Sequence, residues 1–125
     1  MKKEQSLSSK IAHYLSAKYP KVIYRFDLIA DYKMNFKVAM AIKRRYLHEV
    51  GYPDLFIAKS KNGYGGLYLE LKATNIYKKD GTLRKDKHLQ EQSQMHERLR
   101  NDGYKVKFVV GYDEAVRVID EYLRS

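Results

Sequence analysis

Residues 51–72 read GYPDLFIAKSKNGYGGLYLELK, and the two apolar runs around a turn in this stretch decide the fold. Leu55-Phe56-Ile57-Ala58 is a strand-length apolar run, and Leu67 to Lys72 alternates with period two, so both read as strands. Asn62-Gly63 between them is a strong hairpin signal, because these residues accept the positive φ angles a tight turn demands. In such a hairpin the start of the first strand lies beside the end of the second. Leu67, Leu69 and Leu71 then face one way, and Tyr68, Glu70 and Lys72 face the other.

Working outward, the N-terminal side gives a helix from about Glu4 to Lys18, with Leu7, Ile11, Tyr14 and Leu15 at helical spacing. Pro20 stops it, and Val22 to Phe26 reads as a strand. Asn35 to Leu47 reads as a second helix, in which Phe36, Ala39, Met40, Ile42 and Tyr46 are partly periodic and Lys43-Arg44-Arg45 is basic. On the C-terminal side, residues 74–87 are polar and basic, with an Asp80-Gly81 turn, and are expected to form a mobile loop. A helix follows from about His88 to Asn101, ending at Gly103. Lys105 to Val110 is a strand. Asp113 is expected to cap a last helix whose apolar side is Val116, Ile119, Tyr122 and Leu123. The order α-β-α-β-β-α-β-α predicts an α/β fold: three strands in a meander, and a fourth that arrives through a helical crossover and lies parallel to its neighbour. The result is a mixed β-sheet flanked by helices.

A chain of 125 residues is expected to make one domain, spanning 1–125, with one core. No apolar run approaches the roughly 20 residues of a membrane helix. Met1-Lys2-Lys3-Glu4 is not followed by an apolar segment, so no secretory leader is expected. Cysteine is absent, which excludes disulfides, Cys-based zinc sites and thiol nucleophiles. A catalytic metal would have to be held by oxygen or by the four histidines, His13, His48, His88 and His96, and these show no paired metal spacing. Lys and Arg number 25 against 15 Asp and Glu, a net charge of +10. Charge of this kind points first to nucleic acid, then to an anionic membrane surface, and is also compatible with an ordinary basic domain.

Several polar residues stand where apolar ones are expected. Glu70 and Lys72 share one face of an inner strand; alone, they could be a solvated ion pair. Asp54, directly before the preceding strand, changes that reading, because the hairpin brings it to Glu70 and Lys72. Two close carboxylates repel unless a cation holds them, and oxygen ligands suit Mg²⁺ or Mn²⁺. Gln92 lies within about 60° of Leu89, Met95, His96 and Leu99 on a helical wheel. It is either an amide on the buried stripe or a polar residue at its edge. Glu4 is in line with Ile11 and Leu15, and is either a site residue or an acid favoured by a helix start.

Pro53-Asp54 followed by Glu70-Leu71-Lys72 matches the PD-(D/E)xK nuclease signature. With Gly51 and Tyr52 before it, Gly66 to Leu69 between, then Gly81, Leu83, Gln92, Leu99 and Gly103-Tyr104, the pattern resembles the VRR-NUC family in its stand-alone phage and bacterial type. The resemblance runs from about Glu4 to Leu123. It implies a restriction-endonuclease-like core and a Mg²⁺-dependent endonuclease, with Mn²⁺ able to substitute. Asp54 and Glu70 would bind metal, with the Leu71 backbone carbonyl and Glu4 as further ligands. Lys72 would position or activate the attacking water, and Gln92, rather than Gln90 or Gln94, would be the family's glutamine. The resemblance further implies a cytoplasmic protein that cuts DNA, with four-way or branched DNA as the expected substrate and a homodimer as the expected form. The apolar residues of 34–50 either supply the dimer surface or pack on their own sheet. The basic loop with Lys78, Lys79, Arg84, Lys85 and Lys87 either grips phosphates or is simply solvated. The competing functions are a nicking or restriction-like nuclease on ordinary duplex, and a nucleic-acid-binding module without catalysis.

Overall fold

The computed structural model describes residues 3–27, 35–47 and 49–125, with side chains from Leu7 onward. The elements are α1 (Lys3–Lys18), β1 (Tyr24–Phe26), α2 (Phe36–Tyr46), β2 (Leu55–Ile57), β3 (Leu67–Lys72), α3 (Lys87–Asn101), β4 (Lys105–Val110) and α4 (Gly111–Arg124). This is the order expected from the sequence. The strands form one four-stranded sheet in the order β1-β2-β3-β4. β1–β2 and β2–β3 are antiparallel, and β3–β4 is parallel. The architecture is α/β, a mixed sheet with helices on both faces.

The hairpin turn forms at the tip of the β2–β3 connection. Asn62 and Gly63 take φ of 54° and 85°, and Lys61 and Tyr64 exchange backbone hydrogen bonds of 3.1 and 2.8 Å around them. The alternation along β3 sorts the two faces. Leu67, Leu69 and Leu71 join Leu55, Ile57 and Val109 on one face, where Leu7, Ile11 and Leu15 of α1 and Ala115, Val118, Ile119 and Tyr122 of α4 close the main core. Tyr68 and Glu70 are buried too, on the opposite face.

That opposite face lies under α3. Asp86 caps this helix, its carboxylate accepting the His88 and Leu89 N–H groups at 2.9 and 3.2 Å. Gly103, at φ 99°, follows its C-terminus. Leu89, Met95 and His96 are its buried residues.

Two local expectations are corrected, and two further segments gain definition. Asp113 does not cap α4. β4 runs straight into the helix through Gly111, and the Glu114 carboxylate reaches back to accept the Val110 N–H, leaving Asp113 in the first turn. The buried stripe of α4 runs through Ala115 and Val118, with Val116 half-buried on its flank. Residues 74–87 form a hairpin-like excursion, pinned by buried Ile76, a Tyr77–Leu83 bridge and an Arg84 N–H to Ile76 carbonyl bond of 3.0 Å. Finally, α2 forms as a helix, capped by the Asn35 side chain on the Lys37 N–H at 2.7 Å, yet buries none of its residues. Phe36 and Tyr46 remain 77% and 69% exposed, so this segment does not pack on its own sheet.

α1 and α4 are tied by a shared carboxylate. Tyr14 and Tyr19 donate their hydroxyls to Asp120 Oδ1 at 2.6 and 2.5 Å. Burial would raise the Asp120 pKa, but the two hydroxyls, Arg124 and Lys18 outweigh it and hold the carboxyl below its usual range. A depressed carboxyl pKa stabilises above the unfolded value of about 4 and fades as pH falls through the folded value. Asp120→Ala is therefore expected to cost about 2 kcal/mol at pH 7, with most of the difference from wild type gone near pH 2. Urea unfolding at the two pH values measures this.

Candidate active site

The β2–β3 register pairs Leu55 with Leu69, so the next residues, Asp54 and Glu70, stand directly opposite each other. Asp54 is fixed at both ends. Its carbonyl accepts the Asp27 N–H at 2.7 Å, and its Oδ2 accepts the Leu71 N–H at 2.7 Å. Pro53 falls opposite Leu71 by the same register and has no N–H to place in the ladder. The Leu71 carbonyl points to the same side as its N–H, so it faces Asp54 with no donor from Pro53.

Glu70 is 2% exposed and hydrogen-bonds with Asp54. The reading of Glu70 as half of a solvated ion pair is therefore set aside. Burial first, then Glu70, pushes the Asp54 carboxyl well above the carboxylate range; the Leu71 N–H and the nearby Lys72 ammonium pull the other way and lose. Without a cation, the pair keeps a proton at neutral pH. Its first macroscopic deprotonation belongs to the pair rather than to either acid.

α3 covers this pair. Gln90 and Gln94 are exposed, whereas Gln92 turns inward, and its Oε1 is buried without a hydrogen-bond partner. The backbone of Gly51 meets the helix at this level. A Cβ on Gly51 would sit 2.6 Å from the Glu91 carbonyl oxygen and 2.9 Å from the Gln92 Cα, at a φ of +81°. Only glycine allows so close an approach in that conformation. An Arg98–Glu49 ion pair at 2.8 Å joins the same two segments on the surface. The strand end bearing Asp54 is thus registered against the helix bearing Gln92.

His96, one turn beyond Gln92, is fully buried, with Nε2 3.5 Å from Glu70 Oε1 and its ring against Phe108 at 4.5 Å. Burial, helped by the Arg100 and Lys72 charges, lowers its pKa to about 4. It is neutral at pH 7, so the contact with Glu70 is not an ion pair. The sequence placed His96 nearest the active helix face but outside the site; the signal was its i+4 spacing from Gln92 on the stripe of Leu89 and Met95.

Of the residues singled out in the sequence, Asp54, Glu70, Leu71, Lys72 and Gln92 come together at one end of the sheet beneath α3. The Glu4 side chain and His48 lie outside the described residues. Among the described residues, no group of three or more Asp, Glu, His or Cys forms a metal cage. A buried carboxylate, a half-buried one and a backbone carbonyl are hard oxygen donors. They suit Mg²⁺ or Mn²⁺, ions that keep several waters, and do not suit zinc.

A solved structure described as "VRR_NUC domain protein" is similar to this chain, with a TM-score of 0.52 and 28% sequence identity over 69% of this chain. The VRR-NUC resemblance is borne out. This chain covers 63% of the length of that VRR-NUC neighbour. No protein-family model matches the chain, and no curated protein does. No helix among the described residues is long and apolar enough to cross a membrane.

Proposed function

We propose that this VRR-NUC-like chain is a divalent-metal-dependent DNA endonuclease that hydrolyses phosphodiester bonds. The observation that carries the reading is the hydrogen-bonded pair of half-buried Asp54 and buried Glu70 beside Lys72 and Gln92, in a chain similar to a VRR_NUC domain protein. Two acids held against each other are costly for folding alone and suit the capture of a cation.

A divalent cation held there would supply a water of lowered pKa and relieve the charge of the phosphate. Asp54, Glu70 and the Leu71 carbonyl hold it, with Glu4 as a further ligand. Lys72 lends its positive charge to Asp54; it orients the attacking water and offsets charge developing on the phosphate. Gln92 turns its buried amide toward the same reaction space and positions water there. The net charge of +10 favours DNA as the polyanion.

The substrate proposed is four-way or branched DNA, cut by a homodimer whose two sites are related by symmetry. The exposed apolar face of α2 supports the dimer. Phe36→Glu is expected to shift the protein from dimer to monomer in sedimentation velocity while changing the unfolding free energy by less than about 0.5 kcal/mol, since the side chain is 77% exposed. Unchanged sedimentation would remove α2 from the interface.

The deciding assay offers 5′-labelled four-way junction, flap and linear duplex with Mg²⁺, Mn²⁺ or EDTA. Paired symmetric nicks on the junction that need metal support the proposal. Equal cleavage of linear duplex would favour the restriction-like reading. DNA binding without cleavage in any metal would leave a binding module.

A further inference from the structure

His96 is the feature that the proposed chemistry leaves unexplained. Its side chain is fully buried, and both ring nitrogens lack a hydrogen-bond partner. Buried polar groups are almost always satisfied, and each exception calls for a reason. Shape does not supply one: the position belongs to the apolar stripe of Leu89 and Met95, where a leucine would leave no polar atom stranded. The nearest candidate partner is Glu70, whose Oε1 is 3.5 Å from Nε2. That is just beyond a good hydrogen bond.

We propose that His96 is a positioning residue for Glu70, its Nε2–H donating a hydrogen bond to the Glu70 carboxylate when that carboxylate holds a divalent cation. This rests on the metal-dependent reading above. Glu70 hydrogen-bonds with Asp54, and its Oε1 is the oxygen turned toward His96. A side chain that holds a cation is commonly oriented by a hydrogen bond from behind. His96 stands at that place, held by Phe108 on one side and by α3 on the other.

The test measures metal binding, not cleavage. Isothermal titration with Mn²⁺ is expected to show about 10- to 100-fold weaker binding in His96→Leu, with the metal-free melting temperature unchanged or raised. His96→Gln, whose amide keeps an N–H donor, should recover most of that affinity. Wild-type affinity in His96→Leu, or a His96→Gln protein no better than His96→Leu, would overturn the role. A second measurement is independent of how the variants fold. ¹⁵N-histidine NMR of the wild-type protein should show His96 as the neutral Nε2–H tautomer, and that resonance should move on addition of Mg²⁺ but stay fixed in Asp54→Asn. An Nδ1–H tautomer would overturn the proposal. If the wild-type protein takes up no Mn²⁺, the metal-dependent reading itself fails, and the role of His96 with it. Uptake by wild type with unchanged affinity in His96→Leu removes the role of His96 alone.

Discussion

Asp54→Asn is expected to stabilise the metal-free protein and at the same time to lower DNA cleavage by about a thousandfold or more. The two effects have one cause. Asp54 is half-buried against Glu70, and desolvation, with the hydrogen bond and repulsion from Glu70, raises its pKa. A carboxyl whose folded pKa lies above its unfolded value contributes fully below about pH 4 and loses that contribution as pH rises through the folded value. The metal-free wild type therefore loses stability across the neutral range. Asparagine has nothing to ionise. Its Oδ1 still accepts the Leu71 N–H, and its amide can donate to Glu70. The variant should be about 1 kcal/mol more stable than wild type at pH 7, with a margin that grows toward pH 9. Mg²⁺ should raise the melting temperature of the wild-type protein, in line with ligand linkage, and leave Asp54→Asn unmoved. Thermal melts across pH, with and without Mg²⁺, measure both halves. A variant less stable than wild type at every pH would contradict the account of the pair.

Gly51→Ala carries the second large effect, and it acts through packing. Its Cβ would lie 2.6 Å from the Glu91 carbonyl oxygen, and backbone cannot rotate away as a flexible side chain can. The residue also holds φ at +81°, which disfavours any Cβ. Overpacking and strain together should cost about 3 kcal/mol, or roughly 10–15 °C in melting temperature for a domain of this size. Gly63→Ala is the control. Its φ is +85° but nothing lies within 4 Å of its Cβ, so only the conformational cost of about 1 kcal/mol remains. Equal losses in the two variants would show that φ alone, and not the contact with α3, governs Gly51. Because the same contact registers Asp54 against Gln92, any folded fraction of Gly51→Ala should also cleave poorly.

The element order and the site strand were legible because each was written in a local pattern. Period two in Leu67 to Lys72, period 3.6 in α1, α3 and α4, and Asn62-Gly63 between two apolar runs depend on nothing far away in the chain. The pairing of Asp54 with Glu70 was legible for a related reason, since a hairpin fixes its own register. Local pattern failed where a neighbour in space decided the outcome. Asp113 looked like a cap, but the direct β4–α4 junction handed that task to Glu114. Residues 74–87 looked unstructured because their anchor is a single buried residue, Ile76. Phe36, Met40 and Tyr46 looked like a packing face, yet all three stay exposed.

The sequence by itself therefore determined the α/β class, the strand that bears Glu70 and Lys72, and the convergence of two acids near an amide. Tertiary structure alone decided how those groups behave. Glu70 is an ordinary acid until α3 closes over it, and the Asp54 carboxyl is pushed up first by desolvation and then by Glu70 beside it. His96 could be placed on a stripe, but its neutrality and its approach to Glu70 depend on Phe108, Arg100 and Lys72, drawn from three different elements. Side-chain periodicity is a property of the backbone, readable along the chain. Desolvation is a property of what packs overhead, and no window of sequence contains it.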